Sequence, residues 1–568
     1  MCGVMLGPVL FGGGYLLYRD AVSTPRSFVT DAALGIGPLP PRAVPQDWFV
    51  AVASSVIDGG VVVLLTLAAA VLLAAVGYGR LASRLVPESG KTGAVAAAVV
   101  SVWNPFVAER LLQGQWGLLV GYAALGWIVV AVADLAAGDI RLVRWWQLGA
   151  LLAVAGLTPT GSVLGLGVAV AAAGVARIRT TAGIAALWVC SAAPWLMSTA
   201  LGSASISSDG QAGVRAFGLR SEPLLGPFGS ALGLGGIWNA DAVPTSRMSW
   251  WALVATGGLL AVTLVGSTML WRSRSGRRPR ERRIVRRLAV LAVVTVIVVA
   301  VTAFGPGQSV LGAVVDAVPG AGLLRDSQKF LALAVPFAAV ATAATVVVLR
   351  RYVPAGFAFA AVALLVVAPL PDLGWAVGGR ISAVTYPADW AAVAAIVPAN
   401  EGSVALWPPG TVRHYRFTES PSLDPAPRML RAPVIESGEL RVDGALVDRP
   451  DSTAQRVVEV MASGDSPQKL AELGVGWVLV ERDQSGRDIQ GANTLPPVLV
   501  NLTPRYSGDD LILFRIDGTE SPAASSADRS LVWAAHLFWL AMIVGGGAVA
   551  IAPPILRKVF SGRHCQGQ

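Results

Sequence analysis

The sequence predicts an α-helical polytopic membrane protein carrying a small extracytoplasmic α/β domain, and three observations predict it. The 568 residues are 54% hydrophobic and only 14% charged, with a mean hydropathy of +0.61 that no soluble domain of this length would show. Apolar stretches long enough to cross a bilayer recur along the chain. Nine of the sixteen residues from Arg272 to Arg287 are arginine, and this run separates two such stretches. Short loops rich in Lys and Arg stay cytoplasmic, so the run sets one side of the membrane.

Taken in order, the candidate spans are residues 1–18, 59–76, 92–107, 116–133, 145–157, 162–176, 181–200, 249–269, 288–304, 330–349, 354–375 and 531–551. That is about twelve helices, several of them short against the roughly 20 residues a span needs. Alternating outward from the arginine run places Arg80, Arg84, Lys91, Arg141, Arg144, Arg177, Arg179, Arg350, Arg351, Arg557, Lys558 and Arg563 on the cytoplasmic side, with both termini. The first stretch has no basic residue ahead of it and no small-x-small site before Asp20, which predicts a retained span rather than a cleaved signal. The chain then divides into a transmembrane domain with long outer loops (1–375), an extracytoplasmic α/β domain (376–528), and a final helix with a cytoplasmic tail (529–568).

Residues 376–528 hold 20 acidic residues against 13 Lys and Arg, a net of −7 within a chain of net +9. The excess of basic residues is therefore a topology signal, and no nucleic-acid partner follows from it. Cys2, Cys190 and Cys565 leave the outward domain without a disulfide framework. His414, His536 and His564 are too scattered for a zinc site, so no metal ligands are assigned. Gly90-Lys91-Thr92 ends like a phosphate-binding loop, but Leu85 stands where its first glycine is required.

Within the outward domain, periodicity predicts helices over 388–396, 454–462 and 467–473 and strands over 403–406, 476–480 and 511–516. The Pro-rich stretch 407–450 reads as ordered loops. Trp407, Arg413, His414 and Tyr415 there suit a sugar-binding face, or simply pack the loops down.

Ionisable groups at the outer ends of spans are costly unless they serve something, and four places stand out. Asp20, in Leu17-Tyr18-Arg19-Asp20, is where the first span emerges; it is a candidate general base, or an ordinary charge ending a helix, and Asp31 and Asp47 follow in the same loop. Trp103-Asn104-Pro105-Phe106 leads through Glu109-Arg110 to Gln113-Gly114-Gln115-Trp116, a polar lining or a tight outer hairpin with an aromatic belt. The loop 201–248 carries Arg215, Arg220, Glu222 and Trp238-Asn239-Ala240-Asp241, with Trp238 a candidate for acceptor binding. Finally, Arg325 and Lys329 are four apart near a helix start, which on an α-helix puts both on one face for an anion; the bland alternative is Asp326 capping the helix.

A membrane-exit carboxylate with a long first outer loop, about a dozen spans and a soluble outward domain near the C-terminus together resemble the GT-C superfamily of membrane glycosyltransferases. Leu39-Pro40-Pro41-Arg42-Ala43-Val44-Pro45-Gln46-Asp47, Trp103-Asn104-Pro105-Phe106-Val107-Ala108-Glu109-Arg110 and Gly322-Leu323-Leu324-Arg325-Asp326-Ser327-Gln328-Lys329-Phe330 are similar to segments of actinobacterial proteins of that type. The resemblance implies sugar transfer, with inversion, from a polyprenyl-phosphate donor to a cell-envelope glycan or glycolipid at the outer face of the plasma membrane. It implies Asp20 as base, although the family often has an acidic pair where this chain has Arg19 beside Asp20, and Asp31 and Asp47 are the substitutes. Arg325, Lys329 and Arg110 are the expected ligands of the donor phosphate, and Trp238, Trp407, Arg413, His414 and Tyr415 of the acceptor sugar. The donor sugar is mannose or arabinofuranose; the lipid-linked donor stands in place of a cofactor, and a divalent cation is compatible with it. Two rival readings remain: a transporter or flippase for a lipid-linked precursor, against which stands the near absence of mid-span charge, and a non-catalytic envelope scaffold, which would need none of these residues.

Overall fold

The computed structural model describes the chain apart from residues 38–42, 138–141, 176, 203–208, 273–277, 443–444, 450, 483–494, 520–523 and 552–568. Arg141, Arg274, Arg277, Arg557, Lys558, Arg563, His564, Cys565 and the stretch from Leu39 to Arg42 thus lie outside the described residues. Among those described, eight helices are long and apolar enough to cross a membrane: Gly59–Leu85, Pro87–Gln113, Trp116–Ala136, Ile178–Leu201, Trp251–Arg272, Pro279–Val301, Ser327–Leu349 and Ser526–Ala548. Ala355–Val367 and Pro371–Gly378 form a ninth if a pair bent by 84° counts as one span, and Cys2–Phe11, Leu142–Ala155 and Pro159–Ala173 are shorter apolar helices. Each apolar stretch of the sequence corresponds to one of these. Helices of this length and hydropathy make the protein membrane-embedded.

Small residues let the helices pack without a hydrophobic drive between them. A Cβ on Gly126 would stand 2.9 Å from the carbonyl carbon of Gly77, so Gly59–Leu85 and Trp116–Ala136 meet backbone to backbone there. At one end of the bundle Arg84 joins Asp134 and Glu281, Arg287 donates to the carbonyls of Ala172 and Ala173, and Arg350 reaches Ser89. The loops at 84–89, 134, 172–173, 281–287 and 350 therefore gather at that end.

Three expected spans take a different form. Residues 1–18 are not one helix. Cys2–Phe11 stops at three consecutive glycines, and Tyr15–Tyr18 is a strand. Ten helical residues cover only about 15 Å, half the hydrocarbon thickness. The third span breaks between Gly90–Val102 and Pro105–Gln113, where Pro105 supplies no N–H. Asn104 repairs the break, its carboxamide accepting from the Val107 amide and donating to the carbonyls of Val100 and Ser101. The tenth begins as a 3₁₀ segment, Ser327–Ala334, before the α-helix Val335–Leu349.

The domain that the sequence predicts to face outward, hereafter the outward domain, is a mixed five-stranded sheet in the order Tyr506–Ser507, Leu511–Arg515, Val475–Glu481, Ser403–Trp407, Val434–Ile435, with the last two pairings parallel. Alternation along Ser403–Trp407 sends Val404 and Leu406 into one core, with Trp390 of the helix Ala388–Ile396. It sends Ala405 and Trp407 into another, with Val457, Met461 and Leu470 of Ser452–Ser463 and Pro467–Glu472. Residues 407–450 are not only loop: Val434–Ile435 is an edge strand of the sheet, and Leu440–Val442 pairs with Ala445–Asp448. Tyr15–Tyr18 also pairs with Ala21–Val22 and with Ala383–Val384, so the start of the chain is stitched to the domain.

Candidate active site

Asp20 occupies the tight turn of the hairpin formed by Tyr15–Tyr18 and Ala21–Val22. The turn puts Arg19 at φ 44°, a region a side-chain-bearing residue enters at a cost, so the surroundings must hold it. They do so on every side: the Arg19 amide donates to Pro421 O (2.6 Å) and its guanidinium to the carbonyls of Leu112 and Asp241 (2.7 Å each), while the Asp20 amide donates to Gln113 O (3.1 Å). Gly114, at φ 81°, ends the helix Pro105–Gln113 and lets the hairpin press close; a Cβ there would stand 2.4 Å from the Ala21 nitrogen.

The Asp20 carboxylate accepts two amide hydrogen bonds, from Gln113 Nε2 to Oδ1 (3.2 Å) and from Gln115 Nε2 to Oδ2 (2.9 Å). It faces a cavity of about 350 Å³ whose lining includes Gln46, Gln115, Thr158, Lys329 and Arg428. That volume is in the range of small-molecule sites, about 300–1,000 Å³. Arg428 is contributed by the outward domain. One of its terminal nitrogens binds Asp47 (3.2 Å), and the other, Nη1, is buried with no hydrogen-bond partner among the described residues. Lys329 Nζ lies 3.2 Å from Asp326, whose carboxylate is also 3.2 Å from Arg110. Burial alone would raise the Asp326 pKa, but Lys329 and Arg110 outweigh it and hold the carboxyl below its usual range.

A second cavity, about 510 Å³, adjoins the first at Pro159, which borders both. Trp195, Thr199, Asp316 and Arg325 line it. Arg325 is 2.6 Å from Asp448 of the outward domain and lies over the Phe217 ring. Arg325 and Lys329 therefore do not share a face. Arg325 and Asp326 form a bend between two 3₁₀ turns, Ala321–Leu324 and Ser327–Ala334, with Asp326 at ψ 74°, so no single helix carries both cations, and they line different cavities.

The other expected site residues are distributed as follows. Asp31 is bound by the guanidinium of Arg529 (2.8 and 2.9 Å) and anchors the last helix. Arg110 is fully buried beneath the cavity rather than in its wall. Trp238 packs edge-on against Phe217 at 4.9 Å. In the outward domain Trp407, Arg413 and Tyr415 are buried, and only His414 of that group is exposed, so the four do not form an open sugar-binding face. Their burial follows from the alternation of Ser403–Trp407 and from the ion pairs of Arg413 with Asp424 and Glu481. Nothing in the sequence points to Arg428, whereas Gln46 lies in the stretch ending at Asp47 and Gln113-Gly114-Gln115 in the motif that follows Glu109-Arg110, neither of which by itself assigns them to the site. Around the site, Glu109 accepts from the amides of Gly236 and Ile237 and from Gln328, and Arg247 pairs with Glu222, pinning the loop 219–248 to the bundle.

What fold and site define together is a membrane-embedded helical protein with a cavity bearing one carboxylate and two cations where the five-stranded sheet domain meets the bundle. No family model matches the chain, and no curated protein matches it. Among solved structures it is similar to the arabinofuranosyltransferase AftD from Mycobacteria. A class 2 structure of an AftD point mutant has a TM-score of 0.49 at 15% identity, over 91% of this chain and 41% of that one. The unmutated enzyme has 0.44 at 15%, over 88% and 38%. This chain thus spans about two-fifths of the length of those chains. TM-scores under 0.5 at such identities leave a shared fold unestablished.

Proposed function

We propose that this protein is a membrane glycosyltransferase of the GT-C kind. It transfers a sugar, arabinofuranose or mannose, from a polyprenyl-phosphate donor to a cell-envelope glycan or glycolipid on the extracytoplasmic side of the plasma membrane. The observation that carries the reading is the cavity in which Asp20, oriented by two amides, faces the cations Lys329 and Arg428.

In this scheme Asp20 takes the proton of an acceptor hydroxyl while that oxygen bonds to the anomeric carbon. The bond from that carbon to the donor phosphate breaks, and its electron pair leaves with the phosphate. Lys329 and Arg428 stabilise the charge that grows there. A single displacement with one base inverts the anomeric centre. Asp20 is preferred to Asp31 and Asp47 because those carboxylates already serve Arg529 and Arg428. Lys329 and Arg428, rather than Arg325 and Arg110, take the role of phosphate ligands, and Arg325 belongs to the adjoining cavity, which suits the acceptor.

The orientation that this chemistry needs follows from the arginine run, and the lipid donor follows from the side: nucleotide sugars are not supplied outside the cytoplasm, whereas a lipid phosphate brings its leaving group in the membrane. A reporter active only outside the cytoplasm, fused at Gly464, is expected to work and one fused at Arg280 to fail; the reverse would end the reading. The chemical test is Asp20→Asn in nanodiscs with a labelled polyprenyl-phosphate sugar. Transfer at the wild-type rate would refute it.

A further inference from the structure

The two amides that hold Asp20 are themselves held, each from its far side. Gln115 Oε1 accepts from Arg110 Nη1 at 2.7 Å, and Gln113 Oε1 accepts from Asn239 Nδ2 at 2.8 Å. A glutamine amide has one donating end and one accepting end and can turn end for end. With a donor bound to the oxygen of each, the NH₂ end of both must face the carboxylate. If either amide turned, it would present its oxygen to a carboxylate oxygen, replacing a charge-assisted hydrogen bond with repulsion between two acceptors. Arg110 is fully buried, and the same nitrogen also binds Asp326, which in turn binds Lys329. One connected set of bonds therefore runs from Asp20 through Gln115, Arg110 and Asp326 to Lys329.

We infer that Arg110 and Asn239 are positioning residues: each fixes the orientation of one glutamine amide so that both point their N–H groups at Asp20, and Arg110 also keeps Lys329 in register with it. This rests on the reading of Asp20 as the base. Neither residue lines the Asp20 cavity. Loss of the Asn239 contact should therefore lower kcat and leave the donor KM alone, whereas loss of Arg110, which also releases Asp326 and through it Lys329, should lower kcat and raise the donor KM as well.

Asn239→Asp is the sharpest probe. The new side chain keeps the oxygen that caps the Asp241 amide (3.0 Å) but has no N–H for Gln113, so the Gln113 amide turns to donate to it. Gln115→Glu tests the other arm, keeping the partner of Arg110 while offering Asp20 an oxygen. Each should lower kcat about tenfold to a hundredfold, the range for one hydrogen bond to a charged group, with donor KM and melting temperature near wild type. Arg110→Lys, which retains a donor, should keep more activity than Arg110→Met. Should Asn239→Asp lower the melting temperature, Gln115→Glu carries the test. A wild-type kcat in both single variants, with Asp20→Asn inactive, would overturn the inference and leave the base assignment standing. Full activity of Asp20→Asn would overturn the base assignment itself. A raised donor KM with unchanged kcat would make these residues binding groups and also overturn the inference.

Discussion

Two buried arginines, Arg413 in the outward domain and Arg110 in the helical bundle, differ in where their bonds lead. Arg413 pairs with Asp424 (2.8 Å) and Glu481 (2.9 Å) and donates to Pro408 O, while Tyr415 donates to Glu481 and the Ala426 amide to Asp424. None of these residues lines either cavity described above. Burial pushes the Glu481 carboxyl well up, Arg413 pulls it back, and Asp424 pushes it up again. Arg110 is as deeply buried, yet its partners Gln115 and Asp326 pass the contact on to Asp20 and Lys329 at a cavity wall. A buried charge cluster whose bonds end at an open cavity is a candidate for chemistry, and one without such an outlet is not.

The largest effect expected from this contrast is that of Asp20→Asn, which should lower kcat by about 10² to 10⁴, the usual contribution of a general base, without changing thermal stability. The comparison breaks if activity survives. Next is Arg413→Ala. It leaves two buried carboxyls facing each other and should destabilise the outward domain by about 3–5 kcal/mol, read by limited proteolysis or calorimetry, so that any loss of transfer follows unfolding. An unchanged melting profile would mean that the two clusters are not the different things their surroundings suggest.

Lys329→Ala should weaken donor binding about tenfold to a hundredfold, measured with a polyprenyl phosphate in nanodiscs, while Arg325→Ala should leave donor affinity near wild type. Equal losses in the two would return both to a single phosphate site and blur the separation between the cavities. The smallest effect is a pH dependence confined to the outward domain. Burial alone would raise the Asp389 pKa, but the Tyr506 hydroxyl and the amides of Asp510 and Leu511 outweigh it and hold the carboxyl below its usual range. A carboxyl with a depressed folded pKa stabilises the fold above its unfolded pKa, about 3.9, and that stability is lost as pH falls through the folded value. Because Asp389 is partly exposed, the effect is small: Asp389→Asn should flatten the acid limb of domain stability below about pH 4, and an unaltered limb would remove this group from the account.

Local pattern carried much of this architecture. The helix Ala388–Ile396 and the strands Val475–Glu481 and Ser403–Trp407 follow from apolar alternation and from Gly474 closing the αβ turn, all within a few residues. The break at Asn104-Pro105 within the expected span 92–107 also has a local cause, since proline acts on its own neighbours. The site was legible only in part. Tyr15-Leu16-Leu17-Tyr18 is as apolar in a helix as in a strand, and what makes it a strand is Ala383–Val384, far along the chain. The spacing of Arg325 and Lys329 presupposed an α-helix that the backbone does not form there. Nothing near Arg428 announces its place in the cavity, because Asp47, which holds it, comes from the opposite end of the sequence.

The pairing of Tyr15 and Leu16 with Val384 and Ala383 also has a consequence for how the protein is made. Roughly 370 residues separate the two strands, and at about 5–20 residues per second a ribosome needs on the order of tens of seconds to supply the second after the first. Through that interval the early strand has an open edge, and the turn bearing Asp20 lacks Pro421 and Leu423, which later clamp Arg19. Most of the bundle can be inserted before the cavity exists at all. Synthesis of the sheet domain is then the step that completes the cavity, and a chain interrupted before it would occupy the membrane with the site unbuilt.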